Sequence, residues 1–145
     1  MGCDLPTEAQ WEYACRAGTN SEYNNGGDKE EDLKQVGRYK GNQSDGKGGS
    51  NGPVPVGSYL PNAWMLYDMH GNAIEWCLDY GGVLPKNAID PVGPHKTGGE
   101  ENRVRRGGCF CYEAKLCNSS FREDYGNMGW ECEYYGFRLV IHLTE

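Results

Sequence analysis

Three cysteines in the C-terminal third of the chain, Cys109, Cys111 and Cys117, are the first candidates for chemistry. Thiolates are soft ligands that suit Cu(I), and they also act as nucleophiles. The chain holds seven cysteines, an odd number, so at least one cannot pair within a monomer. There is no CxxC motif and the three histidines are scattered, which argues against a structural zinc site. Free, partly buried thiols are favoured over a disulfide framework, and the redox compartment stays undecided.

A second group of candidate ligands lies between Tyr67 and Trp76. Asp68 and Glu75 offer carboxylates, and a turn at residues 70–72 between them could aim backbone carbonyls inward. Calcium takes roughly six to eight oxygen ligands from carboxylates and carbonyls on flexible loops. The spacing alone is compatible with a calcium site and also with a solvated turn.

Between Cys109 and Tyr134 aromatic side chains alternate with acidic ones. The window 109–137 holds eight of the chain's seventeen aromatic residues, without the period of a strand or a helix. Rings among small polar residues are typical of binding surfaces. The alternative is that these rings fill the core of an aliphatic-poor domain, which we expect for Phe137 and Tyr135. The predicted ligand-binding residues are Phe110, Tyr112, Asn118, Phe121, Glu123, Asp124, Tyr125, Met128, Trp130, Glu131, Glu133 and Tyr134.

Length and charge limit the classes of partner. The 145 residues fit one domain, and the net charge of -7 disfavours nucleic acid. No window holds about 18 consecutive apolar residues, so no membrane span is predicted. Met1-Gly2-Cys3 does not begin a recognisable signal peptide, and the localisation stays unknown.

A few elements are predicted to position these residues. Thr7 and Gln10 have capping-box spacing, and Trp11, Ala14 and Cys15 form one apolar face, so a helix is predicted over 8–17. The polar segment 19–53 reads as a long surface loop with a short helical turn at 32–36. Strands are predicted at 75–80, 102–110 and 135–143.

Four sequence blocks resemble the formylglycine-generating enzyme, or sulfatase-modifying factor, family. They are LPTEAQWEYACRAG at Leu5–Gly18, PVGSYLPNAWMLYDMHGNAIEWC at Pro55–Cys77, RVRRGG at Arg103–Gly108 and YGFRLV at Tyr135–Val140. The resemblance implies one domain over 1–145 with an irregular, loop-rich α+β fold of C-type-lectin type. A few short helices and a small antiparallel sheet are expected. The segment that normally precedes LPTEAQWEY in the family is absent here, which implies a truncated or minimal member.

The resemblance also implies two candidate metal sites, one for calcium and one for copper. The family holds a structural calcium at positions that match Asp68, Gly71, Ala73 and Glu75. Its catalysts hold copper between two cysteines with four residues between them and oxidise a substrate cysteine. Here Cys111 and Cys117 have five residues between them, one too many. Cys109 replaces the family's serine and Ile74 replaces a tryptophan, so catalysis is disfavoured.

The departures from the family concentrate in 109–134, and this distribution resembles the variable proteins of diversity-generating retroelements. Adenine changes in asparagine codons give Tyr, Asp, Cys, Phe, Ser and Gly, all frequent here, although Glu123, Met128 and Trp130 need other template codons. The predicted function is a non-catalytic, receptor- or adhesin-like module that binds a protein or other macromolecule through this variable region. The alternative is a copper-dependent formylglycine-generating oxidase.

Overall fold

The computed structural model describes residues 2–44, 51–84, 87–94, 102–124 and 134–142. Helix α1 spans Glu8–Arg16, as the sequence predicts. The Gln10 backbone N–H donates to the Thr7 hydroxyl and the Thr7 N–H donates to the Gln10 side chain, both at 3.1 Å. This capping box satisfies two N–H groups that a helix start leaves unpaired, and Trp11 and Cys15 bury the inner face. No helix in the described part of the chain is long and apolar enough to cross a membrane.

Over residues 19–44 the polar segment is not one long surface loop, so the prediction is wrong there. Helix α2 spans Glu30–Val36, which confirms the helical turn expected there, and a 3₁₀ turn spans Lys40–Asn42. The apolar side chains of this segment form a core cluster with Cys117; they are Tyr23, Leu33, Val36 and Tyr39. They are dispersed among Gly, Asn and Asp residues, and they come together only through tertiary folding.

Within the described residues the strands are short and belong to three separate sheets. In chain order they are β1 (Gly2–Asp4), β2 (Gly37–Arg38), β3 (His70–Gly71), β4 (Ile74–Tyr80), β5 (Arg103–Arg106), β6 (Arg122–Glu123), β7 (Tyr135–Gly136) and β8 (Val140–His142). The largest sheet has the order β6-β5-β4-β7. The pairs β4–β5 and β5–β6 are antiparallel, whereas β4–β7 is parallel, so the expected antiparallel sheet is mixed. The loop-rich α+β class is confirmed.

The predicted C-terminal strand over 135–143 is broken into two. β7 pairs with β4 in the central sheet, whereas β8 pairs with β1 in a different sheet. Between them Arg138 turns inward to Glu75, while Phe137 is 66% exposed, so the expectation that Phe137 lies in the core is wrong. The inward guanidinium of Arg138 lies between the two strands, although the segment is rich in residues that favour a strand.

The fully buried His70 of β3 connects this strand to the segments that hold Asn24 and Cys117. The Nδ1 of His70 lies 2.8 Å from the Cys117 carbonyl, and the Asn24 N–H donates to Nε2 at 3.1 Å. These partners require the neutral tautomer with a proton on Nδ1. Burial lowers the pKa of His70 to about 4. His70 is therefore a structural tie.

Buried arginines of β5 fix the loop that follows it. Arg106 is 1% exposed and donates to the carbonyls of Ser119, Ser120 and Phe121. It also pairs with Glu8 at 3.5 Å and with Glu12, both on α1. A buried charge is tolerated only when it is paired and hydrogen-bonded. This network holds residues 119–121 against the helix.

Candidate functional site

The predicted ligand-binding segment begins in a tight turn at the end of β5. Gly107 and Gly108 take φ values of 90° and 69°, and a Cβ on Gly108 would collide with the Leu116 carbonyl. These glycines end β5 before the predicted residue 110 and turn the chain inward. The Tyr112 N–H then donates to the Cys109 carbonyl at 3.0 Å, which closes a turn over residues 109–112.

Phe110 lies inside this turn, and the prediction that its ring faces outward is wrong. It is 4% exposed, and its backbone N–H donates to the Asn72 carbonyl at 2.9 Å. The inward turn at the two glycines places Cys109 and Phe110 below the surface, so Cys111 is the first exposed residue after β5.

Tyr112 and Glu123 meet above the sheet. The Tyr112 hydroxyl donates to Glu123 Oε2 at 3.0 Å, and Arg105 Nη2 lies 2.9 Å from Glu123 Oε1. Phe121 packs edge-on against Tyr112 with ring centroids 6.2 Å apart. Burial and the neighbouring Glu123 carboxylate raise the pKa of Tyr112 well above its usual range, so the phenol stays a donor. Glu123 is mostly balanced by Arg105 and offers little free charge to a partner.

Arg105 also contacts the rings of Trp76 and Tyr135, which the sequence analysis did not predict to lie on this face. Its guanidinium lies 5.0 Å from the ring centroids of both Trp76 and Tyr135. Tyr134 packs edge-on against Tyr135 at 4.8 Å. Both Trp76 and Tyr135 are partly exposed. Pairing of the strand that holds Trp76 with the RVRR strand could have revealed this stack, because cross-strand neighbours share a face.

The remaining described candidates are partly exposed and have different roles. Asn118 Oδ1 accepts from the N–H groups of Ser120 at 3.1 Å and Phe121 at 2.7 Å, so this side chain shapes the turn. Asp124 pairs with Arg122 at 2.8 Å at the end of β6. A hydrogen bond from the Ile74 N–H to its carbonyl at 2.8 Å ties Tyr134 to β4, and its ring contacts Tyr135. Tyr125, Met128, Trp130, Glu131 and Glu133 lie outside the described residues.

The predicted calcium ligands fit a cation only in part. Asp68 Oδ1 is buried without a hydrogen-bond partner, as a metal ligand would be, while Oδ2 accepts from the Gly57 N–H at 2.8 Å. Glu75, in contrast, accepts from Arg138 Nε at 2.6 Å and Nη2 at 2.7 Å, and from Trp11 Nε1 at 2.6 Å. Both of its oxygens therefore serve an internal cation. Calcium at Asp68, Gly71, Ala73 and Glu75 stays a prediction.

The thiols do not form the pair that the copper hypothesis requires. Cys109 and Cys111 have their sulfurs 3.2 Å apart, whereas the buried Cys117 thiol donates to the Cys109 carbonyl at 3.7 Å. Burial raises the pKa of Cys117 to about 12, which disfavours the thiolate that binds metals. Among the described residues no group of three or more His, Cys, Asp or Glu side chains could hold a metal ion. The six described cysteines are free.

Together the loop-rich α+β frame and the face above β5 define a domain of C-type-lectin-like architecture that displays side chains from several loops. Comparison with known sequences agrees with the resemblance in the four blocks. The chain belongs to the sulfatase-modifying factor enzyme 1-like domain family, whose profile matches residues 1–143.

Enzymes and a variable protein both occur among its relatives. The chain is 35% identical to the formylglycine-generating enzyme of Thermomonospora curvata over 131 residues, which are 81% of this chain and 41% of that protein. The Treponema denticola variable protein 1 superposes with a TM-score of 0.80 at 33% identity over 95% of this chain and 47% of that one. PvdO from Pseudomonas aeruginosa superposes with a TM-score of 0.76 at 27% identity over 94% of this chain and 51% of its own. The chain spans about half or less of each.

Proposed function

We propose that this domain is a non-catalytic, receptor- or adhesin-like module that binds a macromolecular ligand through the face above β5 and β6. One observation carries the proposal. Partly exposed rings and a carboxylate from three separate segments meet on this face, above a sheet fixed by buried arginines. They are Tyr112, Phe121, Glu123 and Tyr134.

Rigid support and amphipathic rings are what a binding surface needs. Tyrosine offers a large contact area and a hydrogen-bonding tip at a small loss of rotamer entropy. Arg105 and Arg106 hold the underlying loops through buried hydrogen bonds, so little ordering remains to be paid for on association. The likeness to a variable protein supports the further proposal that residues 109–134 differ between copies of the gene, as in diversity-generating retroelements.

Charge favours a basic partner surface. The chain carries a net charge of -7, and four acids lie within residues 123–133. Complementary charge speeds association more than it adds affinity. Because Glu123 is already paired with Arg105 and Asp124 with Arg122, Glu131 and Glu133 would supply most of this attraction.

Selection of a phage-displayed random peptide library tests the proposal. Peptides enriched on the wild-type chain are assayed on a double variant, Trp130→Ala with Tyr134→Ala. We expect basic peptides whose binding falls at least about tenfold in the variant, since central aromatic residues dominate interface energies. Equal binding to both proteins contradicts the proposal. A collapse of the melting transition in the variant also contradicts it, because the rings would then belong to the core.

The second candidate function is copper-dependent oxidation of a substrate cysteine, favoured by identity to formylglycine-generating enzymes. The test measures copper binding and turnover of a thiol peptide by the wild type and by Cys111→Ser and Cys117→Ser. Turnover by the wild type that disappears in either serine variant would establish the enzymatic function and contradict the non-catalytic binding function. We expect none, because Cys111 contacts Cys109 and Cys117 is buried.

A further inference from the structure

The contact between Cys109 and Cys111 is a feature that the proposed function leaves unused. Their sulfurs lie 3.2 Å apart within the turn over 109–112. The hydrogen bond from the Tyr112 N–H to the Cys109 carbonyl, 3.0 Å, holds the two residues on the same side of this turn. A disulfide has an S–S distance of about 2.0 Å, so closing the bond needs a movement of only about 1 Å.

We propose that Cys109 and Cys111 form a dithiol site that closes to a disulfide by exchange with a low-molecular-weight disulfide such as oxidised glutathione. This assignment does not depend on the proposed function. Cys117 is not the partner, because its buried thiol is directed to the Cys109 carbonyl.

The two thiols differ in access, and this difference sets the order of events. Cys111 is exposed and Cys109 is 0% exposed. A reagent in solution therefore meets Cys111 first. Burial raises the pKa of Cys109, so this thiol is a poor target for external reagents. Its contact with Cys111 gives it the high effective concentration that an intramolecular second step requires.

The exchange is balanced in atoms and electrons. The Cys111 thiolate attacks one sulfur of the small disulfide, forms a mixed disulfide and releases one small thiolate. Cys109 then loses its proton to solvent and attacks the Cys111 sulfur, which breaks the mixed disulfide and releases the second small thiolate. The two cysteines are oxidised by two electrons and the small disulfide is reduced to two thiols.

Closure would stiffen the base of the ligand-binding face. The turn over 109–112 is held by the Gln43 side chain, which donates to the Phe110 carbonyl at 3.0 Å, and by the Lys40 N–H, which donates to the Tyr112 carbonyl at 3.0 Å. Tyr112 leaves this turn to reach Glu123. Any effect of the disulfide on ligand binding rests on the proposed function, whereas its formation does not.

Peptide mapping tests the dithiol site directly. Trypsin cuts after Arg106 and Lys115, so Cys109 and Cys111 share the peptide 107–115, and Cys117 falls in the next one. The folded chain is incubated with oxidised glutathione, alkylated with iodoacetamide under denaturing conditions and digested. The masses of the peptides are then measured by mass spectrometry. We expect the peptide 107–115 without alkylation and lighter by two hydrogens than the reduced peptide. Reduction before alkylation should restore both alkylated sites.

Two serine variants separate the steps. Cys109→Ser should keep glutathione on Cys111, because the resolving thiol is gone, and Cys111→Ser should show neither glutathione nor a disulfide in this peptide. Cys3→Ser, at an exposed cysteine on β1, is the matched control and should behave as the wild type. Two free thiols, a stable glutathione adduct on the wild-type peptide, or a cross-link from Cys111 to another peptide would each overturn the assignment.

Discussion

Replacing Glu75 by Gln tests the internal ion pair that holds the C-terminal segment to the sheet. Glu75 accepts from Trp11 Nε1 at 2.6 Å and from two Arg138 nitrogens at 2.6 and 2.7 Å. Glutamine keeps the shape of the side chain but removes the charge. Its NH₂ group faces an Arg138 donor at either oxygen position, and at the Oε2 position it faces Trp11 as well. A buried guanidinium without its partner costs about 3–5 kcal/mol. Since the Arg138 side chain is 23% exposed, we expect the lower end, about 3 kcal/mol.

Urea unfolding followed by tryptophan fluorescence measures this cost. A loss of about 3 kcal/mol corresponds to a fall of roughly 10 °C in the melting temperature of a domain of this size. The matched control is Glu113→Gln, whose carboxylate is 59% exposed and pairs with Lys40. Because solvent screens this pair, no measurable loss of stability is expected there. EDTA in both samples removes any contribution of bound calcium. If Glu75→Gln costs no more than Glu113→Gln, the account of this ion pair is wrong.

Four further outcomes are expected. Because the folded pKa of His70 is about 4, below the ordinary 6.5, the unfolded state takes up the proton first and stability falls as the pH drops from 6.5 towards 4. In urea unfolding the wild type should therefore lose about 2 kcal/mol more stability than His70→Gln between about pH 7 and 5. Parallel pH profiles of the two proteins would refute this. Calcium, but not magnesium, should raise the melting temperature of the wild type. The same calcium should leave the melting temperature of Asp68→Gly unchanged; glycine is chosen because it suits the φ of 56° at this position. Equal shifts of the melting temperature in the two proteins would show that Asp68 is not a ligand. Phe110→Ala should lower the unfolding free energy by about 3–5 kcal/mol, and a cost below about 1 kcal/mol would mean that the ring is not in the core. Tyr112→Phe should cost about 1 kcal/mol in the same assay, because one hydrogen bond to Glu123 is lost, and an unchanged stability would contradict that bond.

Local patterns predicted the first helix and the central strand well. The capping box of Thr7 and Gln10 and the Trp11–Cys15 face are encoded within ten residues, so helix α1 needs little tertiary information. The strand over 75–80 is likewise confirmed in β4. Family resemblance supplied the α+β fold class of C-type-lectin type, because composition alone indicated only a glycine-rich domain with many loops.

Tertiary contacts decided what local patterns could not. Leu33 and Val36 look like isolated apolar residues in a polar segment, and only packing against Cys117 makes them core. The segment from Tyr135 to Leu143 has strand composition throughout, but the inward Arg138 divides it between two sheets.

The candidate site was predicted only in part, because tertiary contacts also determine which of its side chains are exposed. Sequence placed Tyr112, Glu123 and Tyr134 among the ligand-binding residues, and the structure brings Tyr112 and Glu123 into contact. It could not show that the glycines at 107 and 108 turn Phe110 inward. Nor could it show that Arg105 neutralises Glu123, because that ion pair depends on the register of β5 and β6.

A saturation scan of residues 109–124 and of Tyr134 tests most directly that the ligand-binding side chains are exposed on a rigid core. The folding of each displayed variant is measured as its resistance to protease. Substitutions at Cys111, Asp124 and Tyr134 should leave most variants folded, since these side chains are exposed or partly exposed. Substitutions at Cys109, Phe110 and Ser119, all buried, should unfold most variants. Loss of folding at Asp124 and Tyr134 as complete as at Phe110 would show that these side chains belong to the core and would contradict the account.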